Sequence, residues 1–161
     1  MKIRNPQTGA YDYEIRITDK HQINQLAELS RIAQEKWSKK SIAERILILQ
    51  SFKDVLLQNK DELINALSID TGRTKISEQE LFGLCGSIDR WCKSAPKLLT
   101  IIERPSNSIP HISIQKTYDP YPLLGVISPW NFPLLLSFID ATPALLAGCA
   151  VIIKPSEVTP R

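Results

Sequence analysis

The chain is 161 residues long, with 20 basic and 17 acidic side chains and a net charge of +3. That length suits roughly one domain with a sizeable core, and 43% hydrophobic against 23% charged residues excludes global disorder. The small positive surplus excludes an electrostatic nucleic-acid binder, and three cysteines at unrelated spacings offer neither a disulfide framework nor a zinc pattern.

Met1 to Pro6 carries no apolar signal-peptide core, so with this cysteine usage the expected location is the cytoplasm. Asn5-Pro6-Gln7-Thr8-Gly9 signals a turn. Tyr11, Tyr13, Ile15 and Ile17 then alternate with polar residues, which predicts a half-buried strand. Asp19 and Gln22 are the two halves of a capping box, and Ile23, Leu26, Ala27, Ala33 and Trp37 give the following helix a core-facing stripe. Ser41 and Glu44 repeat the box before a second helix carrying Ile46, Leu49, Leu56 and Leu57. A third helix runs from Asp61 to about Thr71 and ends at Gly72. A fourth, from about Ser77 to Ser94, sets Leu81, Leu84, Ile88 and Trp91 on one side and is stopped by Pro96. All four helices read as scaffold, with Cys85 and Cys92 as buried small hydrophobes.

Pro105 to Pro110 reads as a loop. Ile112, Ile114, Lys116 and Tyr118 alternate with Ser113, Gln115 and Thr117, predicting an exposed-face strand broken by Pro120 and Pro122. Beyond it the charges thin out: 33 of the 37 lie in residues 1–119 and four, Asp140, Lys154, Glu157 and Arg161, in residues 120–161. Continuous apolar runs replace alternation, as in parallel strands covered on both faces. Leu124–Ser128 is predicted as a strand, Pro133–Ala147 as a helix closed by Gly148, and Val151–Lys154 as a second strand. Together they form a right-handed βαβ unit. Leu134 to Ile153 has the length of a membrane span, but Asp140 near its middle and the interruptions at Pro143 and Gly148 argue against one.

Chemistry is expected at the carboxyl ends of these two strands, where open α/β sheets bind ligands. Pro129-Trp130-Asn131-Phe132-Pro133 follows the first strand, and the Asn131 amide there caps the helix or pins the loop by bonding backbone groups, or else donates to a ligand. Lys154-Pro155-Ser156-Glu157 follows the second strand, and either holds the hydroxyls of a ribose or begins a turn and reaches solvent. Neither His21 nor His111 has a partner that makes it a base or a metal ligand, and no metal site is expected.

Three stretches occur together, in order: Tyr121-Pro122-Leu123-Leu124-Gly125-Val126-Ile127-Ser128-Pro129-Trp130-Asn131-Phe132-Pro133, then Pro143-Ala144-Leu145-Leu146-Ala147-Gly148, then Val151-Ile152-Ile153-Lys154-Pro155-Ser156-Glu157-Val158-Thr159-Pro160. In sequence and spacing they resemble the aldehyde dehydrogenase superfamily. Upstream, Trp37-Ser38, Ala43-Glu44-Arg45 and Asp70-Thr71-Gly72-Arg73 resemble its helical start. The resemblance implies an α/β fold in three parts. These are an N-terminal strand and helical scaffold (1–110), part of a bridging or oligomerisation β-arm (111–122), and the first βαβ unit of a Rossmann-like cofactor domain (123–161).

It also implies an oxidoreductase that converts an aldehyde substrate to a carboxylic acid through a cysteine thiohemiacetal, with a nicotinamide dinucleotide as hydride acceptor. In that setting Asn131 becomes the side-chain donor of the oxyanion hole. Ile127, Ser128, Pro129 and Trp130 become the wall and backbone contacts beside the cofactor, and Lys154, Ser156 and Glu157 the group at the adenosine ribose. The Glu157 carboxylate accepts from ribose hydroxyls and repels a 2′-phosphate, which tilts the cofactor to NAD and leaves NADP open. The chain departs from the family in reading Gly148-Cys149 where Gly-Asn is usual. Cys149, between a helix end and a strand, reads as a buried hydrophobe and not a nucleophile. In the family the glycine-containing cofactor turn, the glutamate base and the catalytic cysteine follow the position of Arg161. The chain is therefore expected to be the N-terminal part of an NAD(P)-dependent aldehyde dehydrogenase, inactive alone, whose full-length form is a homodimer or homotetramer. The alternative is a non-catalytic truncated or split-gene product that needs a complementary chain.

Overall fold

The computed structural model describes residues 1–161 as five helices and six short strands. Strands β1 (Lys2–Arg4) and β2 (Tyr11–Glu14) pair antiparallel around the expected turn. There Gly9 takes φ +77° and the Asn5 side-chain oxygen accepts from the Gln7 and Thr8 N–H groups. The expected half-buried strand is shorter than its alternating pattern and lies exposed throughout. A lone two-stranded ribbon has one face in water, and here Ile3 of β1 supplies the inward residue, at 3% exposure.

Helix α1 (Lys20–Trp37) begins at the Asp19–Gln22 capping box and α2 (Ile42–Gln58) at the Ser41–Glu44 box, both with their reciprocal hydrogen bonds formed. The core-facing stripe expected on α1 is not buried, since Ile23 is 50% exposed and Gln34 is the helix's one buried residue. The reason is position. α1 meets the rest of the chain through its C-terminal half, where Gln34 Nε2 donates to the Gly148 carbonyl (3.0 Å) and Trp37 Nε1 to the Leu145 carbonyl (2.8 Å).

Helix α3 (Lys60–Thr71) ends at Gly72 in the left-handed conformation, as its sequence dictates. Helix α4 (Thr74–Leu98) is longer than expected at both ends. Pro96 does not stop it, because a proline in the last turn forfeits a single hydrogen bond, and the Leu99 N–H still reaches the Ala95 carbonyl at 2.9 Å. The core joins Leu49 and Leu56 of α2 to Leu81, Leu84, Ile88 and Cys92 of α4 and to Leu146 of α5 (Pro133–Ala147), with Phe52 and Phe138 at 5.2 Å between ring centroids. No helix is long and apolar enough to cross a membrane.

Strand β3 (Ile102–Pro105) pairs antiparallel with β4 (Ser113–Lys116), so Pro105 ends a strand and does not open a loop. The turn of this hairpin contains the boundary drawn between residues 110 and 111, and His111 in it has φ +66°. Strands β5 (Leu123–Ile127) and β6 (Ala150–Lys154) are parallel and flank α5, which is the βαβ unit read from the sequence. Gly148 closes α5 at φ +102°, and a Cβ there would stand 2.5 Å from an Arg45 guanidinium nitrogen. The expected burial of both faces does not hold: of the two strands' residues only Val126 is buried. Each strand of a two-stranded sheet has an unpaired edge, and α1 and α5 do not enclose it.

Candidate active site

The β5–β6 ladder continues one residue past β5, with the Ser128 N–H donating to the Lys154 carbonyl at 3.0 Å. The two motif loops, 128–133 and 154–159, therefore lie side by side at the carboxyl end of the sheet. The Thr159 hydroxyl adds a 3.4 Å bond to the Trp130 carbonyl across the gap. Ser128 and Ser137 both donate their hydroxyls to the Pro133 carbonyl, which ties the first loop to the first turn of α5.

Asn131 sits half-buried in that loop, two residues before the helix. It does not cap α5: the capping position belongs to Phe132, which makes no side-chain cap bond. The helix start is satisfied from elsewhere. Pro133 has no N–H to satisfy, and the next two N–H groups, of Leu134 and Leu135, donate to Glu80 Oε1 of α4 at 2.8 and 3.0 Å. Arg73, at the head of α4, donates to the Asn131 carbonyl and lays its guanidinium 5.1 Å from the Phe132 ring centroid. The Asn131 backbone is thus held, while its side-chain amide takes no partner within the chain. Of the two readings left open by the sequence, capping is the one this geometry removes.

Glu80 is 1% exposed, and burial pushes its carboxyl above the usual range, against the opposing pull of the Leu135 and Leu134 N–H groups and of Arg73. Neither Glu80 nor Arg73 stood out as a functional residue in the sequence. The available signal was a carboxylate three residues after Ser77 and four before Leu84, on the buried face of α4, where a charge requires a partner.

At the end of β6, Lys154 Nζ and Glu157 Oε2 lie 2.6 Å apart with both side chains more than half exposed, and the ammonium holds the Glu157 carboxyl below its ordinary value. Ser156 is buried and accepts from the Val158 N–H at 3.2 Å. Ser128 therefore spends its hydroxyl inside the chain and the Ser156 oxygen accepts within its own loop, whereas Ile127, at 82% exposure, and Trp130 present apolar surface to solvent. A cleft of about 580 Å³ along β5 and α5 is lined by Ile127, Pro129, Leu136 and Asp140 among others. An ammonium donor and a carboxylate acceptor in mutual reach, beside exposed apolar side chains, fit the vicinal hydroxyls of a nucleoside.

The cysteines lie elsewhere. Cys85 and Cys92 are buried in α4, where desolvation pushes their thiols up, and Cys149 is buried just before β6, at the end of the sheet opposite Lys154.

Comparison with known proteins bears on this arrangement. The chain is 36% identical, over 135 residues, to a Mycolicibacterium smegmatis protein provisionally named an NADP+-dependent succinate-semialdehyde dehydrogenase, covering 81% of this chain and 26% of that protein. Among solved structures, PutA of Anabaena variabilis, provisionally described as an aldehyde dehydrogenase, superposes with a TM-score of 0.97 at 47% identity, over 100% of this chain and 34% of that one. An NAD-dependent benzaldehyde dehydrogenase from Corynebacterium glutamicum gives a TM-score of 0.89 at 28% identity, over 99% of this chain and 34% of that one. The chain spans about a quarter to a third of the length of these relatives. The model described as the aldehyde dehydrogenase family matches residues 1–161, so the strand–loop–helix that carries Asn131 and the strand end that carries Lys154 and Glu157 sit in a chain that belongs to the aldehyde dehydrogenase family.

Proposed function

We propose that this chain supplies the oxyanion donor and the ribose-binding edge of an NAD(P)-dependent aldehyde dehydrogenase, with Asn131 as a catalytic residue. The observation that carries this reading is the unspent Asn131 amide at the carboxyl end of β5, its capping duty taken over by Glu80. When a nucleophile adds to an aldehyde carbonyl, the oxygen gains a full negative charge. A fixed amide N–H aimed at that oxygen is worth about 3–4 kcal/mol in the transition state.

The nucleophile in this reading is a cysteine that forms a thiohemiacetal, and none of this chain's three thiols serves, because all are buried. A nicotinamide dinucleotide, when bound, would accept the hydride. This chain's part in holding it falls to Lys154 and Glu157 at the ribose hydroxyls and to Ile127, Pro129 and Trp130 as the wall. Ser128 and Ser156 shape the two loops from within. Glu157 favours NAD by repelling a 2′-phosphate, although relatives carry names with either cofactor. The substrate class is an aldehyde that becomes a carboxylic acid.

In domain terms, residues 1–110 are the scaffold of the cofactor domain, 111–122 belong to a bridging arm, and 123–161 open the cofactor sheet. The exposed Ile102, Ile112 and Ile114 of the β3–β4 hairpin suit a homodimer or homotetramer contact. Three free, buried thiols suit the cytoplasm.

Grafting tests the reading. Residues 1–161 replace the corresponding third of PutA of Anabaena variabilis, and NADH and NADPH formation is followed with a panel of aldehydes. Aldehyde-dependent turnover by the graft, and none by the 161-residue chain alone, is the expected result. A folded graft without turnover, beside an active parent, contradicts the reading.

A further inference from the structure

We propose that Glu80 and Arg73 are positioning residues for the Asn131 amide, Glu80 by taking over the cap of α5 and Arg73 by fixing the loop backbone; this rests on the reading of Asn131 as oxyanion donor. A helix start needs acceptors for its first N–H groups, and the residues just before it ordinarily provide them. Asn131 is a residue of the preferred type at nearly the right place. It is spared because Pro133 removes one donor and a single Glu80 oxygen accepts from the next two.

The arrangement has a cost that capping alone does not require. A carboxylate is held at 1% exposure in the helical core, next to Leu81 and Leu84, with its second oxygen unpartnered. A serine or asparagine at the helix start would satisfy the same N–H groups without burying a charge. Arg73 completes the clamp by bonding the Asn131 carbonyl and covering the Phe132 ring, so the residue's remaining freedom is in its side-chain torsions. Both groups come from the start of α4, Glu80 from its first two turns and Arg73 from the residue before it.

A specific failure follows when Glu80 is lost. The Leu134 and Leu135 N–H groups are freed, and the Asn131 side-chain oxygen is the local acceptor that turns onto the helix end. The test begins with the isotopically labelled 161-residue chain, comparing wild type with Glu80→Ala, Glu80→Gln, Arg73→Met and Arg73→Lys. Hydrogen exchange of the Leu134 and Leu135 amides and the NMR signals of the Asn131 side-chain NH2 are the readouts. Glu80→Ala is expected to speed exchange at those two amides by about tenfold or more and to move the NH2 pair, while Glu80→Gln, which keeps the accepting oxygen, restores both. Arg73→Met is expected to move the NH2 pair without freeing the two amides, and Arg73→Lys to restore it in part. In the graft, Glu80→Ala is expected to lower kcat by about tenfold or more with KM nearly unchanged, and Glu80→Gln to recover it.

Unchanged Asn131 signals and unchanged kcat in Glu80→Ala, in a graft that Asn131→Ala does impair, overturn the proposal. If Glu80→Ala does not fold, an Arg73→Met chain with unmoved Asn131 signals overturns the Arg73 half, and a Glu80→Gln chain that loses amide protection overturns the capping half. Should Asn131→Ala leave turnover intact while the NMR shifts occur, the oxyanion reading fails and the capping exchange stands.

Discussion

Glu80 holds one carboxylate oxygen on two backbone N–H groups and leaves the other buried without a partner. The N–H groups stabilise its ionised form, and burial opposes it more strongly, so its carboxyl titrates above an ordinary glutamate. The sign of the stability effect follows. A folded-state pKa above the unfolded one, which is about 4.3 for glutamate, means that the group's contribution is fully present below that value and lost as pH rises through the folded one. Glu80→Gln removes the titration and keeps an acceptor. In urea unfolding from about pH 4 to pH 8, wild type is expected to lose stability relative to Glu80→Gln as pH rises. A pH-independent difference would show that the Glu80 carboxyl is not shifted by its surroundings. The Lys154–Glu157 pair is of another kind: more than half exposed on both sides, it contributes little to stability, and in the proposed function it is the pair that meets the ribose.

At the scale of elements, what was legible in the sequence was whatever local chemistry encodes. The boxes at Asp19–Gln22 and Ser41–Glu44 start α1 and α2 because each bond spans three residues, and Gly72 and Gly148 end α3 and α5 because the chain there turns left-handed. Gly148 is the stricter case, since a side chain would meet both the positive φ and the Arg45 guanidinium. Gly148→Ala is therefore expected to destabilise the chain by more than about 1 kcal/mol in thermal unfolding, and a neutral result would show that Arg45 yields freely. What was not legible depended on distant partners. β1 and β3 are three and four residues long and exist through pairing with β2 and β4. The stripe on α1 is present in sequence, yet its Ile23, Leu26 and Ala33 face solvent, while the C-terminal half of the helix bonds Gly148 and Leu145. Asn131 was legible as a candidate and its freedom was not, because the group that caps α5 in its place, Glu80, lies 54 residues before Leu134 on another helix.

For the molecule as a whole, the uneven charge seen at the outset maps onto the architecture. The charge-rich first 119 residues build the helical scaffold and two exposed hairpins, and the last 42, with four charges, build β5, α5 and β6. Their apolar character divides between α5, which packs into the core through Leu146 and Phe138, and the strand ends, where Ile127 and Trp130 stay exposed beside the candidate site. The proposed function gives that surface a use, since it borders the loops proposed to hold the cofactor and the substrate oxygen. Everything proposed about chemistry converges on one side-chain amide. The most direct measurement is kcat of the PutA graft carrying Asn131→Ala against the graft with Asn131 intact. A loss of about 10²- to 10³-fold in kcat with little change in KM is expected for a missing oxyanion donor. An unchanged kcat in a folded graft would contradict the assignment of Asn131.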